Sequence, residues 1–151
     1  TTRGDMQWDV PVVGHPAIMA LPIKPLLNQP AYWDNVFAAG YKSTTYRPDG
    51  TLPERTQKLM DAIRPRFGGR IDFTFWWVAL GYDCVRIIEH AVAGSTDPAA
   101  IQKALEATDD FQGVYGTYSW SPTDRNGFPD GEIVMVRANS FREGSFEPAP
   151  R

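Results

Sequence analysis

The sequence predicts an α/β fold that reads as pieces of two layered lobes, with parallel sheet flanked by helices, rather than one complete sheet. Three observations predict it. Short apolar runs bounded by turn residues lie near both ends, at Val10–Gly14 and Glu132–Asn139. Apolar residues recur at helical spacing through the middle of the chain. The resulting order is strand, irregular crossing, three helices, strand, strand, whereas a complete parallel α/β domain alternates more regularly. The 151 residues suffice for one domain, and 42% apolar with 22% charged residues is ordinary globular composition. Net charge is −3 with no basic block, which argues against nucleic acid as a partner. The single cysteine, Cys84, excludes an intramolecular disulfide and a Cys-based zinc site. No run approaches the roughly 18 apolar residues of a membrane span.

In chain order, Val10–Gly14 reads as a short buried strand ending in a glycine turn, entered from a helix through Trp8 and Asp9. Four prolines between His15 and Pro30 disfavour regular helix there. Tyr32–Phe37 suits a short helical turn, and Ala39–Tyr46 an extended segment. Asp49-Gly50 marks a turn, and Thr51-Leu52-Pro53-Glu54 fits a capping box before a helix with Leu59, Met60, Ile63 and Phe67 inward. Pro65 should kink or end that helix, and Gly68-Gly69 stop it. The longest element is expected over Thr74–Ala93. Its predicted inner face is Trp77, Leu80, Gly81, Cys84, Ile87, Ile88 and Ala91, with Asp83, Arg86, Glu89 and His90 opposite. Asp97 is placed to cap the next helix, with Pro98 at its first position and Ile101, Ala104 and Leu105 as its apolar stripe. Val114–Trp120 and Glu132–Asn139 are the last expected strands, separated by a polar loop, and Ser140–Arg151 is read as turn and tail.

Several of these segments together resemble a known family. Gly81-Tyr82-Asp83, Gly94-Ser95-Thr96-Asp97-Pro98, Ile101 with Ala104-Leu105-Glu106, and Phe111-Gln112-Gly113-Val114-Tyr115-Gly116-Thr117-Tyr118-Ser119-Trp120 are similar, in order and spacing, to the C-terminal third of the branched-chain amino-acid-binding proteins. These are type I periplasmic solute-binding proteins of ABC importers (extracellular ligand-binding receptors). The likeness runs from about Gln7 to Glu147, and Trp120 replaces the usual phenylalanine. It implies a chain that is the C-terminal part of a two-lobed protein. Residues 1–45 would belong to the C-terminal lobe, 46–127 to the N-terminal lobe, and 128–151 would return to the C-terminal lobe. Tyr41–Pro48 and Asn126–Gly131 would be hinge crossings. It also implies an exported, periplasmic protein that captures a small organic ligand, an amino acid or an aromatic or organic acid, by hinge closure. Such a protein then docks on membrane permease subunits. A chain lacking the earlier strands is expected either to self-associate through exposed edges and faces or to be ordered beside the remainder. A ligand-sensing receptor domain on the same scaffold is the alternative reading, and a small hydrolase a third.

The candidate ligand residues follow from the pocket such a protein needs. Gly14-His15-Pro16-Ala17 follows a strand's C-terminal end, where open α/β sheets bind ligands. The resemblance implies an acid in that loop for a ligand ammonium. His15 or Pro16 stands there instead, which suits a ligand carboxylate or hydroxyl better; a surface histidine is the plainer alternative. Trp77 and Trp76, just before Tyr82, are the candidates for an aromatic wall, with core packing as their alternative. The absence of N-terminal apolar residues in Thr1–Asp5 fits either a cytoplasmic protein or one whose leader has been removed. Cys84 is read as a small buried apolar residue, Ser119 and Ser121 lack a nucleophile elbow, and His15 and His90 lack metal-site spacing, so no catalytic residue, metal or cofactor is expected. Lys42, Arg47, Arg55 and Lys58 read as ordinary charged surface.

Overall fold

The structure, a computed structural model, describes residues 2–19 and 29–150. A short helix, α1 (Thr2–Asp5), leads through Gln7 at positive φ into strand β1 (Val12–Gly14). A 3-10 turn covers Pro16–Met19 and another Pro30–Trp33, so the proline-rich stretch carries no α-helix in its described part; residues 20–28 lie outside it. Strand β2 (Val36–Tyr41) runs parallel to β1, with Val12 opposite Val36. Its other edge pairs antiparallel with β5 (Ile133–Arg137), Phe37 facing Arg137, giving the sheet order β1-β2-β5. The remaining elements are helices α2 (Glu54–Ile63), α3 (Trp76–Val92) and α4 (Pro98–Glu106) and a hairpin of β3 (Phe111–Gln112) and β4 (Thr117–Tyr118).

Two hydrophobic cores result. The sheet body gathers Met19, Trp33, Ala38, Val136, Ala138 and Phe146. The helical body gathers Leu52, Met60, Ile71, Phe75, Trp76, Ala79, Tyr115 and Tyr118, with a larger shell of half-buried side chains around them. The chain passes between the bodies after β2, before β5, and again near Ser145. Thr45 bridges Phe146, and the Tyr46 amide donates to the Phe146 carbonyl at 2.9 Å. Ser140–Arg151 is therefore more than a tail: Ser145 and Phe146 are buried, and the Phe75 amide donates to the Gly144 carbonyl at 2.8 Å. Gly144 sits at φ 82°, and a Cβ there would lie 2.6 Å from the Ile71 side chain, so this contact requires glycine.

Helix termini separate the local signals that hold from those that fail. Asp97 caps α4 as its sequence suggests, its carboxylate accepting from the Ala100 amide at 3.0 Å behind Pro98. Arg64–Phe67 tightens into a 3-10 turn at Pro65, and Gly68 ends it in the left-handed region. The capping box before α2 does not form. The Thr51 hydroxyl donates to Asp49 instead, Pro53 occupies the cap position without a side-chain bond, and the helix starts at Glu54. The strand expected over Val114–Trp120 is broken, since Gly113–Gly116 turns the chain into the β3–β4 hairpin.

The largest correction is the face of α3. Its inner line is Trp76, Ala79, Asp83 and Ala91, and Asp83 is 0% exposed. Trp77, Ile88 and Cys84, expected inside, are exposed, the first two at 58% and 60%. The helix carries two apolar stripes, and hydrophobicity alone does not say which is covered. The hairpin decides it by offering donors to a carboxylate. Asp83 accepts from the Val114 amide at 2.7 Å, the Tyr115 amide at 2.8 Å and the Tyr118 hydroxyl at 3.1 Å. A buried carboxylate with three donors is tolerated where an unpaired one is not. Strand β1 is likewise not buried as expected. It is the edge of the sheet, and Val13 is 67% exposed.

Candidate functional site

The turn after β1 and the start of α3 meet where the two bodies join. Gly14 lets Ile18 fold close over the strand end, since a Cβ there would lie 2.7 Å from the Ile18 side chain. Pro16 and Met19 are buried, whereas His15 and Ala17 are exposed. The Ala17 amide donates to His15 Nδ1 at 3.1 Å, which makes Nδ1 the acceptor and leaves Nε2 as the N–H donor of the neutral ring. Across the junction the buried Thr74 hydroxyl donates to the Met19 carbonyl at 3.4 Å, tying the loop to the residues that open α3.

The two tryptophans divide between wall and surface. Trp76 is buried, and its ring packs on Tyr41 at 5.4 Å between centroids. Trp77 lies outside it in a stack at 3.8 Å, so its outer face is open, contrary to a core role. No hydrogen bond or ring contact joins His15 to either tryptophan among the described residues. Tyr41, at the end of β2, is the aromatic link between the bodies: it also packs on Tyr115 at 4.6 Å and Phe128 at 6.3 Å. The sequence reading assigned Tyr41 only to a crossing; its role shows once the hairpin folds back on the strand end.

Electrostatics at the junction is dominated by burial. The Tyr115 phenol is held well above its ordinary value by burial and by hydrogen bonding with Tyr41. Tyr118 is raised by burial and by the neighbouring Asp83 carboxylate. Among the described residues three buried polar atoms have no hydrogen-bond partner: Ser43 Oγ, Trp76 Nε1 and Ser145 Oγ. All three belong to segments that meet at the junction. Among the described residues no group of three His, Cys, Asp or Glu is placed to hold a metal ion, and no helix is long and apolar enough to cross a membrane.

A separate cavity of about 820 Å3 opens on the crossings. It is lined by Lys42, Arg47, Arg55, Glu132 and Val134, among others, and by none of the five residues expected from sequence. Lys42, Arg47 and Arg55 had read as scattered surface charge. The signal available in sequence was that Lys42 and Arg47 both fall inside the expected Tyr41–Pro48 crossing.

No family model matches the chain, and no curated protein matches it. Solved structures do. A Rhodopseudomonas palustris extracellular ligand-binding receptor superposes with a TM-score of 0.68 at 17% identity, over 99% of this chain and 43% of its own. A Bordetella pertussis periplasmic binding protein type 1 gives 0.71 at 20% identity, over 98% and 41%. An ABC transporter substrate-binding protein from Desulfitobacterium hafniense gives 0.64 at 20% identity, over 97% and 38%. The chain thus carries the type I periplasmic binding protein fold, over about two fifths of the length of the solved proteins that share it.

Proposed function

We propose that the chain is part of the solute-binding component of an ABC importer. In this reading residues 1–45 and 128–151 belong to one lobe and 46–127 to the other. A small organic ligand, an amino acid or an aromatic or organic acid, binds between the His15-Pro16-Ala17 loop and the Trp76–Trp77 wall. Ligand contacts on both lobes favour the closed state by their differential affinity, and the closed protein docks on membrane permease subunits after export to the periplasm. The observation that carries this reading is the Thr74–Met19 hydrogen bond, which sets the loop at the C-terminal end of β1 beside the start of α3. The partition of the buried side chains into two cores supports the lobe assignment, and the names of the similar structures support the class of function.

The chemistry offered is recognition: an open indole face for an apolar body and an imidazole N–H for a carboxylate or hydroxyl. No nucleophile, base and orienting group come together at the junction among the described residues, which favours binding over hydrolysis. The test is calorimetry of the protein against amino acids and aromatic acids. One of them is expected to bind, with affinity at least tenfold weaker in Trp77→Ala and in His15→Ala at unchanged melting temperature. Equal affinity in both variants would sink the assignment of the site.

A further inference from the structure

We infer that the cavity on the crossings is a second binding site, distinct from the cleft proposed above, and that it takes a small organic anion. Its volume of about 820 Å3 lies within the ordinary range for small-molecule sites, roughly 300–1,000 Å3. Its wall combines charge and apolar surface. Lys42 and Arg47 line it without an ion pair among the described residues. Arg55 is held in place by neutral partners, the Gly113 carbonyl at 2.8 Å and the Gln112 side chain. Of the two acids on the wall, Glu54 is paired with Lys58 at 2.6 Å, which leaves Glu132 alone against three cations. The local surplus is positive although the chain is net negative. Val134 and neighbouring prolines supply the apolar part. A carboxylate on an apolar ring or chain satisfies both halves of this wall.

The position of the cavity adds to its interest. Lys42 and Arg47 stand on the crossing that leaves β2, Val134 on β5 of the sheet body, and Arg55 on α2 of the helical body. An occupant touches both bodies. On the two-lobed reading proposed above it would bear on their relative angle; the binding itself does not depend on that reading.

The probe is 4-fluorobenzoate, followed by fluorine NMR titration of the protein. Saturable binding is expected, weakened at least tenfold in the Lys42→Gln/Arg47→Gln double variant and changed less than twofold in Lys103→Gln, an exposed cation on α4 away from the cavity. The neutral 4-fluorobenzamide should bind at least tenfold more weakly. His15→Ala/Trp77→Ala should leave the 4-fluorobenzoate affinity within twofold, which separates this site from the cleft. Loss in that variant with retention in Lys42→Gln/Arg47→Gln would place the probe in the cleft and overturn the inference while leaving the proposed function intact. Absence of saturable binding, or equal binding of the neutral amide, would also overturn it, whatever the calorimetry of the cleft ligand shows.

Discussion

The helical and sheet bodies bury their apolar side chains in different ways. The helical body closes around an internal anchor: α3 meets the β3–β4 hairpin through Asp83, and an aromatic cluster of Tyr41, Tyr115, Tyr118 and Phe128 packs over it. Among the described residues the sheet body has three strands, one open edge at β1 and exposed apolar residues on it. A polar group buried with all its partners fixes one arrangement, whereas an apolar strand with one free edge leaves the neighbouring space unassigned. Specificity in this chain therefore resides in the helical body.

Removing the anchor should have the largest effect. Asp83→Ala strands two amides and a hydroxyl inside the helical core and is expected to cost about 3–5 kcal/mol in urea denaturation. A loss below about 1 kcal/mol would mean that the hairpin is held by its aromatic contacts alone. Next comes the space around the anchor. A Cβ on Gly113 would lie 2.2 Å from Asp83 Oδ2, so Gly113→Ala should push the turn off the carboxylate at a cost of about 1–3 kcal/mol.

Alkaline pH probes the same body without mutation. The Tyr115 and Tyr118 phenols are raised in the folded state, chiefly by burial. Above the ordinary tyrosine value the unfolded chain releases these protons and the folded chain keeps them. The stabilisation present below about pH 10 is therefore lost as pH rises beyond it. Denaturation midpoints should fall between about pH 9 and 11, and Tyr118→Phe should flatten the fall. The smallest effect belongs to the sheet body. Val13→Lys, on the exposed edge strand, should change stability by less than about 0.5 kcal/mol; a larger loss would reveal a covered face.

The same contrast explains what could be read from sequence. The cap of α4 was legible because Asp97, Pro98 and Ala100 are neighbours in the chain and need nothing else. The 3-10 turn at Pro65 and the stop at Gly68 are equally local. The inner face of α3 was not legible, because Asp83 finds its donors in a turn far along the chain and the helix offers a second apolar stripe that looked the better candidate. The capping box at Thr51 failed for a local reason: Leu52 precedes Pro53, which biases it away from helical backbone, so the helix starts only at Glu54. For the candidate site, the strand-end loop and the tryptophan pair could be named from type and spacing. The division of labour between Trp76 and Trp77 needed the packing of Tyr41. The charged cavity needed the fold itself, since its cations come from segments separated by a turn and a helix start.

The antiparallel pairing of β2 with β5, which sets Tyr41 opposite Ile133, has one more consequence. The whole helical body enters and leaves at adjacent points, so in chain topology it is an insertion into the sheet body. Closing the sheet around an unfolded insert of that length carries a loop entropy that grows only logarithmically, but it must be met before β2 and β5 reward it. Folding is thus expected to begin in the insert and to end with its two ends zipped together. The same adjacency makes the body a natural unit for excision or circular permutation, with a short turn joining the residues that now lie side by side.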